Sequence, residues 1–316
     1  MRLFLKRSVL FILFLILVLS PFEFFLRKMD TSYKIKIRQL TASGKDIELL
    51  ILGNSHAARI DPRPFSLYAF NLAQVNQSLY FDKRVTLQHI DLLKNLKYVL
   101  ISVDYHSLYF SDEGMRNTWS YYGYGINYKD AMPVLSRISY LAGYNTSFMV
   151  KFMTRALGKK YATAKALDLE VEADLSQPFV KGFMPYLSTS DLDGKHIRER
   201  AAAFNETVHQ SHEKEEIIRD LEGFINDLKK RNITPILITL PCYGPLRDQL
   251  DKKVQQQNET DILRITEKYR IPWWDLFAMP LSDDCFLDCD HLNGKGSMIV
   301  SDSLNKKLEG LRIPVN

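Results

Sequence analysis

A serine, a histidine and two aspartates are spaced so that an α/β fold could assemble them for acyl transfer. Ser55 follows an apolar run almost directly, and a short Asp-Cys-Asp-His sequence ends at His291, near the end of the chain. A serine hydroxyl becomes a nucleophile when a histidine removes its proton, and an acid orients that histidine. We therefore predict Ser55 as nucleophile, His291 as base and Asp288 as orienting acid, with Asp290 as the alternative acid.

Short apolar runs predict the sheet that must position these residues. The predicted strands are 47–52, 98–103, 234–240 and 271–277, and the predicted helices are 82–96, 213–230, 245–270 (one or two helices) and 294–309. Strands that alternate with helices predict an α/β fold with a parallel sheet. Ser55 then lies at the carboxyl end of the first strand, where such sheets place their sites. Gly53 permits a sharp turn there, into a helix whose N–H groups would face the serine.

Together these blocks resemble the SGNH hydrolase superfamily, also called GDSL-like esterases. The resemblance runs from about residue 47 to 308, and it rests on the block around Ser55 and on the Asp-x-x-His block, followed by Leu-Asn-Gly. It implies a three-layer α/β/α fold with a mainly parallel, flavodoxin-like sheet, an ester-cleaving Ser-His-Asp triad, and neither cofactor nor metal. The family spacing favours Asp288 over Asp290 as the acid.

The resemblance also implies an oxyanion hole, formed by the Ser55 N–H, a backbone N–H of a second block and an Asn side chain of a third. The sequence Asn-Leu-Ala that ends at Ala73 occupies the second block without its usual glycine, so Ala73 is the predicted amide donor. Asp104 stands where the family has Asn, and an ionised carboxylate cannot donate a hydrogen bond. Asn76 and His106 are therefore the alternative donors. We expect the Asp104 carboxylate to point away from Ser55 and to hold a backbone N–H of the second-block loop.

Two other features near these blocks leave alternatives open. His56 directly follows Ser55, and it either faces solvent or a neighbouring loop, or touches a substrate. In an exported protein, Cys289 could pair with Cys242 or with Cys285, or all three thiols could stay free. A zinc site is not expected, because a convincing fourth ligand is absent.

The first 28 residues predict a membrane anchor. Residues 9–19 contain no polar side chain, and basic residues stand on both sides of the apolar stretch. Three basic residues near the start favour a cytoplasmic N-terminus and a periplasmic or extracellular body. The alternatives are a cleaved signal peptide, with Pro21 poorly placed just after the cleavage site, and a buried core helix.

The remaining chain is divided by composition. Residues 29–45 are polar and basic and are predicted to be a juxtamembrane linker, and residues 46–316 form the predicted SGNH-like catalytic domain. Residues 108–210 are rich in Tyr, Ser, Gly and Met and are predicted to be an insertion that caps one end of the sheet.

The composition excludes several classes of protein. With 46% hydrophobic and 25% charged residues, the chain of 316 residues is not disordered, collagen-like or a polytopic membrane protein. The net charge of +5, without a long basic run, argues against a nucleic-acid partner.

A single N-terminal membrane anchor followed by an SGNH-like domain points to a more specific function than ester cleavage alone. This layout is similar to that of the D-alanine transfer proteins of teichoic acid modification and of the alginate O-acetylation proteins, which work beside a membrane-bound O-acyltransferase. The similarity implies a membrane-anchored esterase or O-acyltransferase that takes an acylated carbohydrate or another acyl donor and acts on acyl esters of a cell-surface polysaccharide. The alternative is a non-catalytic polysaccharide-binding or assembly partner that keeps the fold, and Asp104 is the feature that favours it.

Overall fold

Five short strands form one parallel sheet at the centre of the fold. They are β1 (Leu49–Leu52), β2 (Ala69–Asn71), β3 (Tyr98–Ser102), β4 (Thr234–Thr239) and β5 (Trp273–Asp275), in the order β2-β1-β3-β4-β5. All four pairings are parallel; Leu100 of β3, for example, lies between Ile51 of β1 and Ile236 of β4. Because the order reverses between β1 and β3, this is the flavodoxin-like arrangement. The predicted α/β class is confirmed.

Helices flank the sheet and precede it. In chain order, the helices of the described residues are α1 (Arg2–Lys28), α2 (Ser32–Ser43), α3 (Leu79–His89), α4 (Thr118–Tyr124), α5 (Tyr140–Gly143), α6 (Gly194–Gln210), α7 (Lys214–Lys229), α8 (Gly244–Arg247), α9 (Lys252–Tyr269) and α10 (Gly294–Arg312). The structure describes residues 1–28, 30–110, 118–126, 139–143, 179–184 and 192–312. This computed structural model divides into two compact units, residues 1–34 with 113–175, and residues 35–112 with 176–316.

Each face of the sheet carries its own apolar layer, as expected when successive side chains of a strand point to opposite faces. One layer joins the sheet to α6, α8 and α10, through residues such as Ile51, Ile238, Ala201, Leu246 and Leu304. The other face is buried as well, and α3 and α7 pack together, with α7 also against β4. Continuous burial on both faces explains why the strands are uninterrupted apolar runs.

Two segments differ from the sequence-based expectation. The predicted linker contains helix α2, in which Lys36 and Leu40 are buried. The residues after the serine form only one 3-10 turn, Ala57–Arg59, so the expected helix is absent at that position. A single turn cannot supply the aligned N–H groups of a full helix, because a helix dipole needs several stacked peptide units.

The N-terminal unit contains the candidate anchor. Helix α1 is 27 residues long with a mean hydropathy of 2.7 over its most apolar window, so it is long and apolar enough to cross a membrane. At its end, Glu23 accepts hydrogen bonds from the Tyr140 and Leu141 amides, at 3.0 and 3.1 Å, and so binds the start of α5.

Most of the predicted insertion at 108–210 lies outside the described residues. Helix α6 is described and belongs to the expected range, but its Ile197, Ala201 and Val208 are buried in the layer that covers the sheet. The last part of that range is therefore an integral element of the sheet-containing unit rather than an addition to it.

Candidate active site

The turn after β1 brings Ser55 to the carboxyl edge of the sheet. Gly53 has φ 134°, and a Cβ atom at this position would lie 2.5 Å from the Cβ of Ser102, so only glycine fits without strain. The Gly53 N–H donates to Asp82 Oδ1 at 3.1 Å. Asn54 Oδ1 then accepts the His56 N–H at 2.9 Å, and this closes a tight turn around Ser55. The nucleophile candidate is thus held by the strand end on one side and by a side-chain turn on the other.

The loop before α10 brings His291 to the same edge. Phe286 and Leu292 form an antiparallel bridge, which fixes the loop as a narrow hairpin. Asn293 accepts from the Lys295 and Gly296 amides and so caps the first turn of α10, while its amide nitrogen donates to the Phe286 carbonyl at 3.1 Å. One side chain therefore fixes both the helix start and the hairpin that carries His291.

Ser55, His291 and Asp288 form a continuous hydrogen-bonded row. The Ser55 Oγ to His291 Nε2 distance is 2.9 Å, and His291 Nδ1 lies 2.9 Å from Asp288 Oδ2. Asp288 Oδ1 also accepts the backbone N–H groups of Asp290 and His291, at 3.0 and 2.8 Å, and these bonds fix its orientation. Such distances let an imidazole take a proton from a hydroxyl while a carboxylate holds its far side.

Asp290 lies beside the same imidazole but is less well placed. Its Oδ1 is 3.4 Å from His291 Nδ1, beyond ordinary hydrogen-bond length, and its side chain is 4% exposed against 32% for Asp288. The Asp290 Oδ2 atom instead faces cations, with Arg200 Nε at 3.2 Å and His56 Nε2 at 3.6 Å. Burial opposes ionisation of Asp290, yet these neighbours together with His291 keep its pKa below its ordinary value.

The Asp104 carboxylate has three hydrogen-bonding partners among the described residues, and Ser55 is not one of them. Its Oδ2 accepts from Ser102 Oγ at 3.0 Å and pairs with His56 Nδ1 at 3.2 Å, and its Oδ1 accepts the Leu240 N–H at 3.2 Å. The expected backbone anchor therefore exists, but its amide belongs to the residue after β4 and not to the second-block loop. The reason is the sheet order, which places the ends of β3 and β4 side by side.

The Ala73 amide, the predicted second donor of the oxyanion hole, already has an acceptor. It donates to Asn71 Oδ1 at 2.9 Å, while the amide nitrogen of Asn71 donates to the Ala57 and Ile60 carbonyls. The Ala73 carbonyl accepts from the buried Lys36 ammonium. Asn71 thus braces the second-block loop against the turn after Ser55, and we correct the prediction for Ala73 accordingly.

The other predicted donors differ in their surroundings. The Ser55 N–H has no hydrogen-bond acceptor among the described residues, so it is available to an oxyanion. Asn76 is exposed at a turn with φ 53°. His106 lines a small cavity together with Gly53 and Asn54, and its buried Nδ1 has no partner within the described part of the chain. Burial and the charge of His56 lower the pKa of His106 to about 4, so this ring is neutral and carries one N–H.

Among the described residues, only one cluster brings three potential metal ligands close together, and it consists of His56, Asp290 and His291. His291 Nδ1 is already held by Asp288, and the Arg200 guanidinium touches the Asp290 oxygen that a cation would use. A fixed positive charge at that oxygen opposes metal binding, and the chemistry of this set fits ion pairs better.

All three cysteines are free thiols, so neither of the two considered disulfides is formed. Burial raises the pKa of Cys242 to about 12 and that of Cys289 to about 11. Such thiols stay protonated at neutral pH and are poor nucleophiles, although Cys289 lies within the candidate site.

A cleft opens beside the Asp288–His291 loop. It encloses about 430 Å³ and is lined mostly by charged and polar side chains from α6 and this loop: His196, Glu199, Arg200, Ala203, Asp288, Cys289 and Asp290. Helix α6 is the part of the site that the sequence pattern missed, because Arg200 and Phe204 stand in a range with weak periodicity. An Asp193 cap, whose side chain accepts the Lys195 N–H, was the available signal for the helix start.

Comparisons with known proteins give structural likeness only. No known sequence family and no curated protein matches the chain. Among solved structures, the chain is similar to a candidate acylhydrolase of Bacteroides fragilis (12% identity, 90% of this chain and 99% of that chain covered, TM-score 0.44). It is also similar to a GDSL-like lipase of Bacteroides thetaiotaomicron (12% identity, 88% and 99% covered, TM-score 0.41). Likeness at this level says nothing about activity, which must be inferred from the chain's own site.

Proposed function

We propose that this chain is a membrane-anchored serine esterase or O-acyltransferase of the SGNH type. The observation that carries the proposal is the row from Ser55 through His291 to Asp288, with both links at 2.9 Å. A hydroxyl, an imidazole and a carboxylate in this order form the minimal apparatus for acyl transfer through a covalent intermediate.

The proposed reaction has two steps. Ser55 Oγ attacks the ester carbonyl while His291 Nε2 takes its proton, and the tetrahedral intermediate then collapses as His291 returns that proton to the leaving alcohol. In the second step, water or a sugar hydroxyl gives its proton to His291 and attacks the acyl group on Ser55. The bond from the acyl carbon to Ser55 Oγ then breaks, and His291 returns the proton to Ser55 Oγ. Asp288 keeps Nδ1 of His291 protonated and stabilises the imidazolium that forms twice.

The cleft supports a polar substrate. The charged and polar side chains that line it can bind hydroxyl groups, which both donate and accept hydrogen bonds. We therefore propose a small acyl group carried on or transferred to a carbohydrate, as in a cell-surface polysaccharide. A membrane-bound O-acyltransferase that supplies the acyl group is the proposed partner, and helix α1 is the proposed contact with the membrane.

Turnover of an activated ester tests this proposal. The detergent-solubilised full chain is mixed with p-nitrophenyl acetate, and release of p-nitrophenol is followed from the first turnover onward. We expect a burst equal to the enzyme concentration, and its loss in Ser55→Ala. Adding a sugar alcohol then separates the two activities, because a transferase yields acetylated sugar that mass spectrometry detects, whereas an esterase yields acetate alone.

A non-catalytic polysaccharide-binding or assembly partner is the second candidate. The observation that favours it is that two expected donors of the oxyanion hole are not available. Asp104 stands in place of an amide donor and pairs with His56, and the Ala73 N–H already donates to Asn71. Loss of one such donor typically costs about 100- to 1,000-fold in rate. No acylation of Ser55 by esters of several acyl lengths, together with retained binding of an acylated polysaccharide, would favour this candidate.

A further inference from the structure

One imidazole beside the candidate nucleophile contacts two buried acids from different parts of the fold. His56 Nδ1 lies 3.2 Å from Oδ2 of Asp104, the acid that follows β3. His56 Nε2 lies 3.6 Å from Oδ2 of Asp290, the acid in the loop before α10. The side chains of Asp104 and Asp290 are 5% and 4% exposed, and that of His56 is 15% exposed. A buried carboxylate needs a counter-charge or hydrogen-bond donors, and here one ring faces both acids.

The two acids have further partners, and three other rings surround that of His56. Arg200 of α6 reaches Asp290 at 3.2 Å, and Ser102 donates to Asp104. The neighbouring rings are those of His106 at 5.9 Å, His291 at 5.4 Å and Phe204 at 6.3 Å between centroids, and His106 stacks on Phe204. The titratable and charged groups that face His56 are thus Asp104, His106, Arg200, Asp290 and His291.

The charge on Asp290 affects whether His291 can act as a base. Asp288 and Asp290 both face His291 Nδ1, at 2.9 and 3.4 Å. Two uncompensated carboxylates would stabilise the imidazolium of His291, and a protonated imidazole cannot accept the Ser55 proton. Arg200 offsets part of the Asp290 charge at 3.2 Å, but its side chain is 43% exposed, so solvent screens it. A second cation on the Asp290 oxygen that is itself buried would offset the charge further and leave Asp288 as the main acid that acts on the base.

We propose that His56 is a positioning residue: a protonated imidazole that joins Asp104 to Asp290 and, together with Arg200, offsets the Asp290 charge, so that His291 remains a competent base. The role in catalysis rests on the proposed function, whereas the protonated state and the link between the two acids do not. In this role, both ring nitrogens of His56 face carboxylates, and neither faces solvent or the substrate.

The electrostatics agree with this geometry. Burial opposes a charged ring, but the carboxylates of Asp104 and Asp290 outweigh it and raise the pKa of His56 to about 10. The pKa of Asp104 is lowered against the effect of its burial, chiefly by the charge of His56. His106, which has no carboxylate within hydrogen-bond distance among the described contacts, shifts in the opposite direction. The positive charge thus stays on one of two neighbouring histidines.

The pH dependence of kcat/KM for p-nitrophenyl acetate tests the role in catalysis. In His56→Gln, we expect the acidic limb to move to higher pH by about one unit, because Asp290 then stabilises the His291 imidazolium. Asp290→Asn should move the limb to lower pH, and the double variant should return it near the wild-type position. If His56→Gln does not fold, Asp290→Asn alone carries the test. An unmoved limb in both single variants, or a lower kcat with an unchanged profile, would overturn the proposal.

Histidine-selective nitrogen NMR tests the charge state without any activity. The full-length Ser55→Ala variant in detergent is labelled in its histidines, and the His56 signal is identified by its absence from Ser55→Ala/His56→Gln. We expect two protonated ring nitrogens at pH 8. A neutral His56 ring would refute the inference while leaving the esterase proposal intact. If His56 is an imidazolium but the wild-type chain shows no turnover, the esterase proposal fails, while the charged link between Asp104 and Asp290 stands. Stoichiometric metal that is lost in His56→Gln would also overturn it, in favour of a cation site.

Discussion

The Ser55 hydroxyl and the His291 imidazole are 236 positions apart in the chain and 2.9 Å apart in the fold. The parallel sheet explains this distance, because Ser55 follows β1 while the hairpin of His291 lies between β5 and α10, at the same edge. Both supports are rigid: a strand end with a glycine turn on one side, and a bridged hairpin with a capped helix on the other. The proton-transfer geometry is therefore built into the fold.

Ser55→Ala tests the nucleophile. We expect turnover to fall by roughly 10⁴- to 10⁶-fold, as when a catalytic serine is removed from other triads. The thermal midpoint should change little, because Ser55 is only partly buried and, among the described residues, its Oγ forms a hydrogen bond only with His291. Ser303→Ala, at a partly buried position of α10, is the matched control and should keep both activity and midpoint. Retained turnover in Ser55→Ala would reject the assignment.

The two aspartates of the last loop should differ in their effect on rate. Asp288→Asn should lower kcat by about 10⁴-fold, because the amide favours the wrong tautomer of His291. Asp290→Asn should cost less at the pH optimum, because its nearest oxygen is 3.4 Å from the ring and it faces Arg200 and His56. Kinetics of both variants under identical conditions decide the matter. A larger loss for Asp290→Asn would exchange the two roles.

Gly53→Ala should impair both folding and activity. The φ of 134° is strained for alanine, and the new methyl group would press on Ser102 at 2.5 Å and on Ala57 at 2.9 Å. Gly310→Ala in α10 is the matched control, since nothing lies within 4 Å of the added methyl group and alanine favours a helix. We expect a lower thermal midpoint for the first variant and an equal or higher one for the second. Equal midpoints would mean that the turn after β1 adapts without cost.

The sequence predicts those parts of the fold and site whose pattern lies within one short segment of the chain. The runs that became β1, β3 and β4 are apolar on both faces, so they are recognisable without any knowledge of their neighbours. The strand β2 has only three residues, Ala69–Asn71, too few for a period to show. The residues of the proposed triad could be predicted because each lies next to a turn whose glycine or asparagine is visible in the sequence.

The rest depends on contacts that no local pattern carries. Arg200 reaches Asp290 from a helix some ninety positions earlier, and Leu240 supplies the amide that binds Asp104. The Ala73 amide was predicted free because the sequence does not reveal that Asn71 turns its side chain back onto it. The polar segment after α1 was predicted as a linker since burial of Lys36 cannot be expected from its charge.

The anchor proposal predicts a definite distribution in cells. Because helix α1 is apolar over spanning length, we expect the chain to remain in the membrane fraction after a carbonate wash, with residues from 30 onward outside the cytoplasm. Protease protection reports the side of the membrane, and N-terminal sequencing of the mature protein reports cleavage. A mature chain that starts at or just beyond Pro21 would instead identify a cleaved signal peptide.

Asp104→Asn tests why an acid replaces the amide that the oxyanion hole was expected to contain. The carboxylate accepts hydrogen bonds from Ser102, His56 and Leu240. An Asn side chain has an NH2 group in place of one carboxylate oxygen, so this group would face at least one of these donors without forming a hydrogen bond. Breaking a buried charged pair typically costs about 3 kcal/mol, so we expect a lower thermal midpoint and reduced turnover. Asp302→Asn, at an exposed position of α10, is the control and should change neither.

The pH dependence of that loss separates the pair with His56 from a purely steric effect. His56 has a folded-state pKa of about 10 against 6.5 for the free side chain, so its contribution to stability is complete below pH 6.5 and is lost as the pH rises through 10. The difference in midpoint between wild type and Asp104→Asn should therefore be largest near pH 6 and narrow toward pH 10. A constant difference would mean that the charge of the pair contributes nothing. A large gain in turnover in Asp104→Asn would mean that Asp104 faces the oxyanion after all, and that the wild-type chain is closer to the binding partner than to the enzyme.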